Sequence, residues 1–238
     1  MIIYKEPLDR VYKEYIEPIL NGKQDIITWW DLFKEDKPTF TDAAERCNYE
    51  TFKSVKDEAL NKTTNPQHID MHEDVLRKTV KFKNKLFEGT YVVNQYTGLS
   101  NDKVFYFPDS KDYINKDRLR ELFYDDIMDI IYLNTGEDNL EITNTPIYYK
   151  DYNGVNGYLG WHNNCDHPGP RWYLVYNTHG NSSFLRSIDQ NTGKMITKWE
   201  PQGWSLNYFE LGDCDNPFWH CIHSTSHRFS FGLGKKKY

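Results

Sequence analysis

Apolar positions keep a helical spacing through much of the first 144 residues and a strand spacing after about residue 145. Leu8, Val11, Tyr12, Tyr15, Ile16, Ile19 and Leu20 recur at three- and four-residue intervals, and Asn21-Gly22 supplies a stop. A second helix is expected over 65–87, opened by Asn65-Pro66 and closed by Gly89, with Ile69, Val75, Leu76, Val80, Leu86 and Phe87 as apolar positions. A third runs from Lys116 to Leu133, with Leu119, Leu122, Phe123, Ile127, Ile130 and Ile131 on one face. Thr90–Val93 and Val104–Phe107 read as short strands.

From residue 145 onward the chain breaks into eight strand-like runs. They begin near Pro146, Gly157, Arg171, Ser182, Lys194, Trp204, Pro217 and His227. Asp189-Gln-Asn-Thr-Gly193 is a hairpin turn between two of them. Eight short strands at this spacing predict a sandwich or barrel, most naturally a jelly roll of two packed sheets. The expected architecture is α+β in one domain over 1–238: a mainly helical portion over 1–144 and a β core over 145–238.

Alternation then assigns faces. Tyr158, Gly160, His162 and Asn164 should share one, and so should Phe218, His220 and Ile222. On the last strand Arg228, Ser230 and Gly232 point one way, and Phe229, Phe231 and Leu233 the other. The second of those faces needs a cover, which the N-terminal helices can supply. The first buries an arginine and a serine, which is costly without an anionic partner. That partner is either a bound carboxylate, gripped by both arms of the guanidinium, or an internal Asp or Glu.

Composition narrows the function classes. The chain has 238 residues and a net charge of −6, with no broad basic stretch, so a nucleic-acid groove is not expected. Aromatics make up 16% of residues, which suits a core packed through rings. No signal-peptide pattern or apolar run of membrane-spanning length is present, and the four cysteines form no CxxC pair. Both features lead to an expectation of a cytoplasmic protein with reduced thiols.

The order His162, His220, Arg228-x-Ser230 across a strand-rich segment carries the candidate chemistry. With the entry Tyr152-Asn-Gly-Val-Asn-Gly-Tyr158-Leu-Gly-Trp-His162, it makes residues 145–234 resemble the double-stranded β-helix of the 2-oxoglutarate/Fe(II)-dependent oxygenases, prolyl-hydroxylase-like members in particular. The Gly-Trp-His-x-Asn start, the Asp-x-x-Thr-Gly hairpin and the Trp-His…Arg-x-Ser end also resemble oxygenase-like proteins of tailed bacteriophages. A Lys-, Asn-, Tyr- and Ile-rich composition suits an AT-rich viral genome and hence a host cytoplasm.

The resemblance implies Fe(II) held by His162 and His220, with ascorbate as a possible helper. It implies 2-oxoglutarate held by Arg228 and Ser230, with Tyr173 and Asn207 adding hydrogen bonds. The reaction it implies is oxidative decarboxylation of the cosubstrate to succinate and CO₂, coupled to hydroxylation of a C–H bond. The substrate it suggests is a polypeptide, an amino-acid side chain or another small molecule.

The pattern departs from that family at one place. Asn164 stands where a carboxylate ligand is expected. Three outcomes stay open: Asn164 or a water completes the metal site; Asp166 does so if the strand ends in a bulge or turn at Cys165; or the metal is lost and the barrel is a binding or virion-associated module. Halogenase relatives leave that position empty for halide, a space an Asn would crowd. A zinc site of His162, Cys165 and His220 lacks a CxxC pair. His223 and His227, near the site in sequence, read as structural or surface residues, and His167, His179, His68 and His72 as surface residues.

Overall fold

The computed structural model describes residues 6–21, 47–62, 74–82, 85–93, 105–106, 113–114, 116–143, 147–149, 157–165 and 167–236. The first helical segment comprises α1 (Glu6–Val11), a π turn (Tyr12–Ile16) and α2 (Glu17–Leu20). The wide turn falls just before Pro18, which has no N–H to continue the ladder, and the Glu17 N–H reaches back to the Tyr12 carbonyl. Next comes α3 (Tyr49–Lys62), to which the periodicity assigned no helix. Asn48 caps it, its side-chain oxygen accepting the Thr51 N–H at 2.8 Å. The helix expected over 116–133 is present as α4 (Lys116–Thr135).

The helix expected over 65–87 does not form where that segment is described. β1 (Asp74–Phe82) and β2 (Lys85–Val93) make an antiparallel hairpin instead. The reason lies in the residues: Leu76, Val80 and Phe82 also fit a period of two, and β-branched Val75, Thr79 and Val80 favour a pleated strand. The strand expected at 104–107 appears as β3 (Phe105–Tyr106), paired with β4 (Tyr113–Ile114).

The second half follows the expectation closely. After β5 (Leu140–Ile142) come eight strands: β6 (Ile147–Tyr149), β7 (Gly157–His162), β8 (Gly169–Asn177), β9 (Ser183–Ile188), β10 (Met195–Trp199), β11 (Gly203–Leu211), β12 (His220–Ser224) and β13 (Arg228–Lys235). They form two antiparallel sheets, ordered β10-β9-β12-β7 and β11-β8-β13-β5, with β6 also paired to β13. The fold is therefore α+β, with helices packed on antiparallel sheets. In the β9–β10 hairpin Asp189 accepts the Asn191 and Thr192 N–H groups at 3.0 and 2.7 Å, and Gly193 takes φ +67°.

The main core lies between the five-stranded sheet and the helices. Phe229, Phe231 and Leu233 of β13, with Trp172 and Leu174 of β8, pack against Leu8, Val11, Tyr15 and Ile16 and against Ile127, Ile130 and Ile131 of α4. The apolar face of the last strand thus has the helical cover it needs. Tyr15 sits 5.7 Å ring to ring from Phe231, and burial pushes its hydroxyl well above its ordinary pKa. The four-stranded sheet is covered by the start of α3. There Trp161 donates its indole N–H to the Asn48 carbonyl at 2.8 Å, and Phe52 packs on Trp161 and Trp219.

Candidate functional site

The faces turned away from these helical covers meet between the two sheets. Register places Ile196, Ser187, His220 and His162 in one row across β10-β9-β12-β7. Lys198, Leu185, Ile222 and Leu159 form the next. On the opposite sheet Asn207, Tyr173 and Gly232 share a row, then Ser205, Val175 and Ser230, then Gly203, Asn177 and Arg228. His162, His220, Tyr173, Asn207, Arg228 and Ser230 therefore lie on faces turned toward one interior.

His162 and His220 are both buried, and their ring centroids lie 4.1 Å apart. Each Nδ1 faces the backbone carbonyl two residues before it: Gly160 at 2.7 Å for His162, Phe218 at 2.9 Å for His220. A carbonyl only accepts, so each Nδ1 carries a proton and Nε2 is the nitrogen through which a neutral ring could ligate. This is how protein scaffolds orient imidazoles toward a metal. Two imidazoles bound to one ion at about 2.1 Å hold their nitrogens about 3 Å apart when the angle between them is near a right angle, and rings 4.1 Å apart fit that arrangement. Phe209 and Phe218 lie 5.4 and 5.3 Å from the His220 ring. In this apolar setting burial lowers the His220 pKa to about 4, against the opposing hydrogen bond to Phe218, so the ring is neutral at neutral pH.

Two details of β7 depart from simple alternation. The ladder slips by one residue: His162 pairs with His220, but Leu159, not Gly160, pairs with Ile222. One extra residue on β7 makes a bulge. Leu159 therefore joins His162 on the inner face, while Tyr158 pairs with His223, whose ring stacks on Phe184 on the other side. The strand also ends at His162. Asn163 is buried and accepts the Cys165 N–H at 3.1 Å, while Asn164 is exposed at φ +52° and its carbonyl takes the His167 N–H. Asn164 thus lies on a left-handed turn beyond the strand, not on the strand face shared with His162. Asp166 lies outside the described residues. Among the described residues, no group of three or more His, Cys, Asp or Glu is arranged to hold a metal ion.

Cys165 and Cys214 are joined in a disulfide, with Cα atoms 4.9 Å apart and a sequence separation of 49. This corrects the expectation of four reduced thiols, since a pairing across that separation leaves no local spacing signature. It also removes Cys165 from any zinc set. Cys47 and Cys221 are free and buried. His167, His179 and His227 are exposed, as expected, while His68 and His72 lie outside the described residues.

Arg228 is buried, and its partner is internal. Its Nε and Nη2 each donate to Glu200 at 2.7 Å, one to each carboxylate oxygen, and both side chains are 1% exposed or less. Glu200 also accepts from Ser183 at 2.6 Å, Asn207 at 3.0 Å and Asn177 at 3.3 Å. Burial alone would raise the Glu200 carboxyl. The Arg228 charge and the hydrogen bonds from Arg228, Ser183 and Asn177 together outweigh burial and hold the carboxyl below its ordinary range. Of the four residues assigned to a cosubstrate, Arg228 and Asn207 are bound to Glu200. Ser230 is buried with no hydrogen bond to its Oγ among the described residues. Tyr173 stacks on Phe209 at 5.3 Å, and burial raises its hydroxyl pKa against the nearby charges of Arg171 and Arg228.

Glu200, Asn177 and Ser183 were not identified from sequence. A partial signal for Glu200 existed: Ile196, Lys198 and Glu200 alternate along β10 on the side that pairs with Ser187 and Leu185, so Glu200 follows on that side just past the strand's end, although Ile196 itself is exposed.

No family model matches the chain, and no curated protein matches it. Among solved structures it is similar to Drosophila melanogaster CENP-C bound to CAL1, at 7% identity and a TM-score of 0.28. It is also similar to the cumin domain of the same CENP-C, at 6% identity and a TM-score of 0.27. In each case the match covers 79% of this chain and 97% of the other.

Proposed function

We propose that the eight strands form a double-stranded β-helix and that the protein is a ferrous oxygenase, with the metal held by Nε2 of His162 and Nε2 of His220. The strand order of the two sheets supports the fold reading. The observation that carries the metal reading is the pair of Nδ1 contacts to the Gly160 and Phe218 carbonyls, which present two imidazoles side by side. Fe(II) bound there would supply activation of O₂ with a 2-oxo acid as reductant. The protein's own part is to orient the two rings, keep His220 unprotonated and wall it with Phe209 and Phe218. The cosubstrate on this reading is 2-oxoglutarate, and Arg228 must exchange Glu200 for it. The substrate class is a polypeptide or an amino-acid side chain.

The test is metal binding followed by turnover. Mn(II) or Co(II) should bind the wild type at one site, and His162→Ala and His220→Ala should each lose it. Succinate should form from 2-oxoglutarate with Fe(II) and ascorbate. The observation favouring a second reading, a catalytically silent interaction module, is the Arg228–Glu200 pair, which already neutralises the cosubstrate arginine. Metal-soaked protein without metal at the histidines would decide for the module.

A further inference from the structure

Of the two partners the sequence leaves open for Arg228, a ligand carboxylate and an internal acid, the structure holds the internal one. Arg228 grips Glu200 through Nε and Nη2, the two-pronged geometry it would offer a free carboxylate. Asn207, another of the residues assigned to that ligand, also donates to Glu200. The Glu200 backbone is fixed: its N–H donates to the Ser183 carbonyl at 3.0 Å, its carbonyl accepts the Asn181 N–H at 3.1 Å, and Pro201 follows. Only the side chain is left to move. Beside the pair, Ser230 is wholly buried and its Oγ has no hydrogen bond among the described residues, and the Ser205 Oγ across Val175 is in the same state. A buried hydroxyl without a bond is costly, and these two lie in the row next to a carboxylate-binding arginine on the same inner sheet face.

We infer that Glu200 is a tethered internal ligand of a carboxylate site, so that an added dicarboxylate such as 2-oxoglutarate reaches Arg228 only in competition with it. The inference rests on the reading of this interior as the cosubstrate chamber, but not on the metal. A second carboxylate beside an intact Arg228–Glu200 pair would leave one uncompensated negative charge in a buried region, which the chamber disfavours strongly. Glu200 therefore acts as an autoinhibitory plug, and the unengaged Ser230 and Ser205 hydroxyls are the donors an entering ligand would use.

The experiment is chemical rescue with glutarate, a dicarboxylate that needs no metal. Glu200→Ala removes the plug, and Glu200→Gln removes its charge with little change of shape. Melting temperatures of the wild type, both variants and Glu200→Gln/Arg228→Met are followed as glutarate is added. The two single variants should rise with glutarate concentration, and the wild type and the double variant should not. A variant too unstable to fold alone should be recovered on refolding with glutarate and not with an equal concentration of chloride. Equal response by the wild type overturns the proposal, and so does absence of any rescue of both single variants. Mn(II) binding is measured separately on the wild type: its failure removes the oxygenase reading and leaves the rescue result standing.

Discussion

Lowering the pH from neutral to about 4 should destabilise the metal-free protein through His220, by an amount the structure sets. In the folded chain burial among Phe209, Phe218 and His162 lowers the pKa to about 4 from an ordinary 6.5. Above pH 6.5 neither the folded nor the unfolded ring binds a proton. Below it the unfolded ring takes one up and the folded ring does not, so stability falls as the pH drops. Near pH 4 the folded ring protonates too and the loss levels off. The interval between 6.5 and about 4 corresponds to about 3 kcal/mol. The reference is His220→Asn, whose side-chain amide keeps an N–H for the Phe218 carbonyl and does not titrate. Urea unfolding followed by tryptophan fluorescence, at a series of pH values, gives both stabilities. At neutral pH the wild type should be the more stable, and its advantage should shrink by about 3 kcal/mol as the pH reaches about 4. The acid loss of Glu200, whose folded pKa is depressed and whose contribution disappears as pH falls through that value, is common to both proteins and cancels. Parallel curves for the two proteins would show that burial does not set the His220 proton affinity.

Removing one partner of the buried ion pair, by Arg228→Met or Glu200→Leu, should cost about 3–5 kcal/mol in urea unfolding, and the double variant should be more stable than either single one. Cys214→Ser should lower stability by about 4 kcal/mol, because the bridge closes a long loop in the unfolded chain; in denaturant without reductant the wild type should titrate two thiols, those of Cys47 and Cys221. Phe231→Ala should cost about 3–5 kcal/mol by opening a cavity between β13 and the first helix, with no change in Mn(II) affinity.

The strands of the second half were legible because neighbouring residues on each point to opposite faces and turn residues such as those of Asp189–Gly193 separate the runs. The face assignments on β13 held for the same reason: Arg228 and Ser230 turned inward, Phe229 and Phe231 outward under the helices. Reading stopped where one residue breaks the period. The bulge put Leu159, not Tyr158, beside His162, and the left-handed turn took Asn164 off the strand. Local patterns also say nothing of distant partners, so neither the Cys165–Cys214 pairing nor the choice of Glu200 for Arg228 was visible, although an internal acid had been one of the two options. The 74–93 hairpin failed for another reason: its apolar positions satisfy both periods, and β-branching was the only arbiter.

The bulge in β7 also works as a clutch between two halves of one strand. Below it, Gly157–Leu159 follows the ladder of β12; above it, Trp161 faces outward to latch onto Asn48 and His162 faces inward to meet His220. The indole is thus the outside handle of the imidazole, and the extra residue lets the two be set independently of the strand beneath. Deleting Gly160 would restore an unbroken ladder with Leu159 opposite Ile222, Trp161 opposite Cys221 and His162 opposite His220, so the indole stays outside and the imidazole inside. The extra residue is what lets Tyr158 pair with the outward His223 while His162, four residues further on, pairs with the inward His220.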